Sequence, residues 1–311
     1  MIITEAPPKH NQLEFFIEQA VKARPIRTAV VHPVDHNSLV GAVEAAEKNL
    51  IEPILIGPEH RIRCAAEEEG LDISRYEIIN TPHSHESAAR ACDLARRAEV
   101  EALMKGGLAT SELLSAVVDK HHGIRTERRL SHVFVFDIPT YHKPLVITDA
   151  AINVAPDLLT KADIVQNAID FCRALGNVAP KVAILSAVEK VKPGLRSTID
   201  AAALCKMADR GQIRHGILDG PLAFDNAISS EAAQDKHIES AVSGEADILL
   251  APDLEAANMI AKQLVYLADA KSAGIAVGAK VPIILTSRAE KPLGRLGSCA
   301  LASHMVHHPE R

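Results

Sequence analysis

The sequence predicts an α/β protein of two αβα three-layer domains, each with a mostly parallel sheet, separated by a cleft. Three observations carry this. Short apolar runs rich in β-branched residues alternate with amphipathic stretches of helical period, the pattern of parallel strands joined by right-handed crossovers. The chain has 311 residues, more than one typical domain. The alternation changes pace around 140–155 and then restarts.

The elements are expected in the following order. Residues 1–12 are polar, carry Pro7-Pro8 and read as a lead-in. Over 13–24, Leu13, Phe16, Ile17, Ala20 and Val21 share one helical face. A strand follows over 28–32, then a helix over 38–50 capped by Asn37. Strand 51–57 ends in glycine, 62–70 is helical, 76–80 is a strand and 84–99 an alanine-rich helix. Ala102-Leu103-Met104 forms a strand that Lys105-Gly106-Gly107 terminates, and a helix runs over 111–119. A basic loop (121–132) precedes strand 133–138, and the 144–157 run holds another strand. Then come helix 160–175, strand 182–186, helix 198–210, strand 216–219, helix 229–242, strand 247–250 and helix 254–269. The chain closes with a strand in Val281–Leu285 and a helix over 294–306. With the last strand and helix returning to the start, the first domain is 1–143 plus 281–311 and the second is 144–280.

Composition narrows the function. Net charge is −6, so no basic excess exists to neutralise nucleic-acid phosphates. There is no Trp, and only three Tyr and six Phe, so stacking platforms for bases are scarce. The five cysteines (Cys64, Cys92, Cys172, Cys205, Cys299) are widely spaced without a C-x-x-C pair, which points to free thiols in a reducing cytoplasm and to no metal cage. No secretory leader and no apolar run of the ~20 residues needed to span a bilayer is evident, so no membrane association is expected. His121-His122 and His304, His307 and His308 read as solvated side chains of a loop and a tail.

Polar residues recur where predicted strands end, the place where open α/β sheets bind ligands. Thr286-Ser287-Arg288 offers two hydroxyls and a planar guanidinium ahead of a helix, a setting suited to phosphate. In Lys105-Gly106-Gly107, with Thr110 and Ser111 beyond it, glycines let backbone approach an anion and hydroxyls add donors. Asp149, at the head of the 149–153 cluster, either binds ligand or caps a helix. Asp219 and Asp225 flank a Gly-Pro turn, where Asp225 serves equally well as a cap. Asn258 and Lys262, four apart, share one helix face. No G-x-S-x-G motif or motif-placed cysteine supplies a nucleophile.

From about residue 15 to the end, the sequence resembles the phosphate acetyl/butyryl transferase family, most closely its butyryltransferase-like branch and the transferase half of enoyl-CoA hydratase fusions. The resemblance rests on residues 123–139 (GIRTERRLSHVFVFDIP), 147–158 (ITDAAINVAPDL), 181–189 (KVAILSAVE), 219–229 (DGPLAFDNAIS), 252–264 (PDLEAANMIAKQL) and 281–289 (VPIILTSRA). It implies an isocitrate/isopropylmalate dehydrogenase-like fold and a homodimer. It also implies an exchange in which acyl-CoA and inorganic phosphate give acyl phosphate and CoA, with no permanently bound cofactor. The family's Ser-Arg pair falls on Ser287-Arg288, and the Asn and Lys of its helix motif fall on Asn258 and Lys262. Lys105, Gly106, Gly107, Thr110, Ser111, Arg125, Thr286, Asp149 and Asp219 are the expected phosphate and CoA contacts.

Two positions depart from the acetyltransferase pattern. Ala289-Glu290-Lys291-Pro292 stands where Gly and then Asp follow the Ser-Arg pair, which leaves the base for the CoA thiol unassigned. Ala109-Thr110-Ser111 stands where that branch has His-Ser-Thr and a nearby Arg, and Ser115 where butyryl-type relatives carry a basic residue, so Arg125, Arg128 or Arg129 is expected to make up the charge. Two other readings follow from the same residues. One is a non-catalytic binder of CoA or acyl phosphate; the other is a metal- and NAD-dependent dehydrogenase, which would need acids converging as Asp219 and Asp225 alone do not.

Overall fold

The computed structural model describes residues 11–285 and 291–308. It separates into two compact units, Leu13–Leu130 with Ala273–His307, and Ser131–Ser272 with residues at the two chain ends. These limits fall at 130/131 and 272/273, whereas the sequence pattern puts the breaks at 143/144 and 280/281.

In the first unit, β1 (Ile26–Val31), β2 (Ile51–Gly57), β3 (Glu77–Asn80) and β4 (Ala102–Lys105) lie in the order β3-β2-β1-β4 and run parallel. Beyond β4 come β11 (Ile283–Ile284), parallel to β4, and β10 (Lys271–Val277), antiparallel to β11. The helices are α1 (Gln12–Val21), α2 (His36–Glu47), α3 (Glu59–Glu68), α4 (Ser84–Arg96), α5 (Thr110–Val117) and α11 (Pro292–His307). Leading strand residues such as Val30, Leu55 and Leu103 are fully buried, as parallel strands covered on both faces require. The chain moves outward from β1 to β3 and then crosses back to β4. The reversal of strand order therefore lies between β1 and β4.

The second unit holds β5 (Ser131–Asp137), β6 (Leu145–Thr148), β7 (Lys181–Leu185), β8 (Ile217–Leu222) and β9 (Ile248–Leu250), ordered β5-β6-β9-β7-β8. Only β5 is antiparallel to its neighbour β6. The helices are α6 (Leu158–Ala174), α7 (Arg196–Asp209), α8 (Phe224–Ile228), α9 (Ser230–Asp235) and α10 (Leu254–Leu267). One face of the strands packs on α10 and α8 through Phe136, Ile147, Leu249, Ala257 and Ala261, a cluster without residues of α6 or α7. The chain thus leaves β6 for one face and its neighbour β9 for the other, which makes β6/β9 this unit's switch point.

Several expectations are corrected. β10 was not foreseen, because Ala273, Gly274 and Ala276 give no β-branched signal. Small residues belong there because α11 packs closely: a Cβ on Gly297 would sit 2.8 Å from that of Ala273, and the Gly274 N–H donates to Ser298 Oγ at 3.0 Å. Of the helix expected over 229–242 only the short α9 (Ser230–Asp235) forms, capped by Ser229, whose extended backbone separates it from α8. Asp35, not Asn37, caps α2, accepting from the Ser38 N–H at 3.2 Å. His304 is buried on α11, not solvated; its Nε2–H donates to the Phe16 carbonyl at 3.0 Å. His307 likewise binds the Arg24 carbonyl at 2.9 Å. Among the described residues, no helix is long and apolar enough to cross a membrane.

Candidate active site

In the first unit, Lys105 ends β4 beside the end of β1, at the reversal of strand order. The Gly106 N–H donates to the Val31 carbonyl at 2.9 Å and the Gly107 N–H to that of His32 at 2.8 Å. These two donors therefore close the loop onto β1. What they leave for an anion is the start of α5, whose cap residue Ala109 has no side-chain bond and whose first residues are Thr110 and Ser111. Lys105 Nζ lies 3.1 Å from the Gly106 carbonyl and adds positive charge at this edge. Glu112, in the first turn of α5, pairs with His85 at 2.8 Å.

His32 follows β1 in the left-handed region, with φ 59°. Its buried ring lies 3.3 Å from Ser87 Oγ, which is 2.8 Å from Thr81 Oγ1. Burial, with the charge of Arg61, holds this imidazole below its ordinary range. The sequence placed His32 in a strand and gave no sign of this network. β11 runs parallel to β4, with Ile284 beside Met104, so the chain at Leu285 is directed to the same edge. Thr286, Ser287 and Arg288 lie outside the described residues.

Arg125 is not brought to that edge. It bridges Ala279, which follows β10, and β10 runs opposite to β11 and β4. Within its unit, Arg125 sits at the far end of the strands from Lys105.

In the second unit, Asp149 follows β6 and closes a turn rather than capping a helix. Its carboxylate accepts from the N–H groups of Ala151, Ile152 and Asn153 at 3.0–3.1 Å and from Asn153 Nδ2 at 2.7 Å. Burial pushes its carboxyl above the usual range, against the pull of these bonds. Asn258, in the first half of α10, donates from Nδ2 to the Ala150 carbonyl at 3.1 Å. Lys262, one turn on, is exposed, with no carboxylate within ion-pair distance among the described residues. Asp149 and Asn258 thus meet at the β6/β9 switch point, with Lys262 one turn further along α10.

Asp219 does not join them. It lies inside β8, level with Ala183 in mid-β7, and accepts from the Gly220 N–H at 2.8 Å. With β9 and β7 between, β8 is three strands from β6, roughly 14 Å at the usual spacing. Asp225 is bound to Lys236 at 2.8 Å. Among the described residues, no three His, Cys, Asp or Glu side chains are gathered where a metal ion could be held.

Beside the switch point is a pocket of about 590 Å³, lined by Asp157, Lys161, Arg196, Asp200 and Asp253 among others. At its floor Lys161 Nζ and Asp200 Oδ2 are 2.9 Å apart, with Arg196 on the second carboxylate oxygen at 2.7 Å. Burial opposes the Asp200 charge, but Arg196 and Lys161 hold its carboxyl below the usual range. Nothing in the sequence paired these residues, which are 39 positions apart.

The model of the family described as "Phosphate acetyl/butaryl transferase" matches residues 85–302. The chain belongs to this family. A phosphate acetyltransferase of Rickettsia felis is 54% identical over 316 positions, covering 98% of this chain and 90% of the relative. A phosphate butyryltransferase of Clostridium acetobutylicum is 39% identical over 284, covering 91% and 94%. A solved branched-chain phosphotransacylase from Enterococcus faecalis superposes with a TM-score of 0.80 at 28% identity, covering 91% of this chain and 99% of that one. The phosphate acetyl/butyryl transferase match spans both units and includes Lys105, Asp149, Asn258 and Lys262.

Proposed function

We propose that this chain is a phosphate acyltransferase, moving a short acyl group reversibly between coenzyme A and inorganic phosphate. The observation that carries this is the 54% identity to a phosphate acetyltransferase along nearly the whole chain. The two switch points support it. One offers a lysine and an uncapped helix start, the other a lysine and an amide, and the exchange handles anions on both sides.

In the acyl phosphate to CoA direction, the thiol sulfur attacks the acyl carbonyl carbon. The C–O bond to phosphate breaks, phosphate leaves with that electron pair, and the thiol proton passes to a base or to solvent. Ser287 and backbone N–H groups hold the carbonyl oxygen, Arg288 balances the phosphate charge, and Lys262 and Lys105 bind the anionic ends. Asn258 positions the Asp149 turn. Binding both substrates together supplies proximity and makes a covalent enzyme intermediate unnecessary. A cytoplasmic location, which rests on the cysteine pattern, and a homodimeric state, which rests on the family resemblance, belong to the same proposal.

The test is release of free thiol from acetyl-, propionyl- and butyryl-CoA with and without phosphate. Phosphate-dependent release from at least one is expected; release from none overturns the proposal. Arg288→Ala should lower the rate by orders of magnitude, whereas a mere binder of CoA has no rate to lose.

A further inference from the structure

His32 follows β1 at the edge where Lys105 and the start of α5 lie, and its backbone helps to build that edge. Its N–H donates to the Ile56 carbonyl at 2.7 Å, and its own carbonyl accepts from the Val34 and Gly107 N–H groups at 2.9 and 2.8 Å. Its φ of 59° is left-handed. A residue with a side chain holds that conformation at a cost in strain, and such residues cluster at functional sites. The imidazole lies among the starts of α3, α4 and α5. The charged and titratable groups that act on it are Arg61 of α3, His83 ahead of α4, Glu112 of α5 and Asp35 ahead of α2.

The hydrogen bonds decide which ring nitrogen is bare. Ser87 Oγ carries one proton, and the His83 carbonyl, which can only accept, takes it at 3.0 Å. Ser87 therefore accepts from Thr81 Oγ1 at 2.8 Å and from the Nδ1–H of His32 at 3.3 Å. A neutral ring with its proton on Nδ1 has a lone pair on Nε2. Among the described residues Nε2 has no hydrogen-bond partner, and it is not closed off from solvent as Nδ1 of His132 is. An imidazole oriented through one nitrogen with the other bare has the arrangement of a general base. Burial and the charge of Arg61 keep the ring neutral, and so able to accept a proton, at pH 7.

We propose that His32 is a catalytic residue, the base that takes the CoA thiol proton. The inference rests on the acyltransferase reading. As the bond from sulfur to the acyl carbon forms, the S–H bond breaks and its proton passes to His32 Nε2. Glu112 and Asp35 favour the imidazolium that results, and solvent then takes the proton. In the reverse direction the imidazolium protonates the departing thiolate.

The test is kcat/KM for CoA with acyl phosphate, followed from about pH 5.5 to 9 in wild type and His32→Asn. Asparagine tolerates left-handed backbone and its amide replaces the Nδ1–H donor, but it offers no base. The variant should keep nearly the wild-type Tm and lose about 10²–10⁴-fold at pH 7. The loss should shrink as pH rises past about 8.5, where a free thiol ionises by itself and needs no base. The wild-type rate should also fall below pH 6.5 as the ring protonates, a fall absent from the variant. A loss equal at every pH marks a structural histidine and overturns the inference, as does a variant as fast as wild type. If His32→Asn does not fold, Ser87→Ala carries the comparison: freeing the ring should give a smaller loss that shrinks with pH in the same way, and a uniform loss or none overturns the inference. A wild type without phosphate-dependent thiol release sinks the acyltransferase reading and this inference with it. An active wild type beside an unaffected or pH-independent variant sinks this inference alone.

Discussion

Asn258 Nδ2 donates to the Ala150 carbonyl at 3.1 Å, joining α10 to the turn that Asp149 closes 108 residues earlier in the chain. One amide thereby sets the relation between the two segments of the β6/β9 switch point. Asn258→Ala removes the bond and leaves that carbonyl without its donor. A loss of about 1 kcal/mol in stability is expected from urea unfolding. The larger effect should fall on kcat/KM for phosphate-dependent thiol release, by about 10²-fold, the penalty typical of a small misplacement near reacting groups.

Gly106 has no room for a side chain. A Cβ there would sit on the Val31 carbonyl oxygen and 2.7 Å from that of His32, both rigid backbone. Gly106→Ala should cost about 2–4 kcal/mol and displace Lys105. Gly194 is the control: nothing lies within 4 Å of its Cβ position, so Gly194→Ala should leave the thermal midpoint almost unchanged.

His132 gives stability a pH dependence. Its ring is buried against Phe134, Nδ1 has no hydrogen-bond partner, and burial drives the pKa from 6.5 down to about 4. Below pH 6.5 the unfolded chain takes up a proton that the folded chain refuses until about pH 4. Stability is therefore full above 6.5 and lost as pH falls through this window, by about 3 kcal/mol. His32, whose pKa is also lowered by burial, adds in the same direction. Between pH 7 and 4 the urea midpoint of wild type should fall relative to that of His132→Leu; parallel curves would show that His132 is not the titrating group.

Lys161 and Asp200 form a buried pair, with side chains 6% and 4% exposed. Lys161→Met leaves Asp200 with Arg196 alone and should cost about 3–5 kcal/mol. The double variant Lys161→Met/Asp200→Leu should recover most of this, since an apolar pair of similar size avoids desolvation. A double-mutant cycle on urea unfolding measures the coupling; additive single costs would contradict it.

The strands of each unit were readable because parallel strands between helices are runs of Val, Ile and Leu, and segments such as IEPILIG carry that signal locally. β10 was not, since its Ala and Gly are chosen by the approach of α11. Asn258 with Lys262 was readable as a helix face; the bond of Asn258 to the turn that Asp149 closes was not. That Arg125 lies at the other end of its strands from Lys105, and Asp219 three strands from β6, could not be read from the sequence, where strand direction and strand order are hidden. Lys161 with Asp200 carried no signal, because ion pairs across helices have no fixed spacing.

The sequence by itself determined the α/β class, the alternation of elements, the family and the residue types available for anions. These follow from local periodicity and from motifs contiguous in the chain. Only the tertiary structure decided which strand ends are neighbours: β1 with β4, and β6 with β9. That choice depends on crossovers of tens of residues, whose outcome is settled by which apolar faces can be buried together.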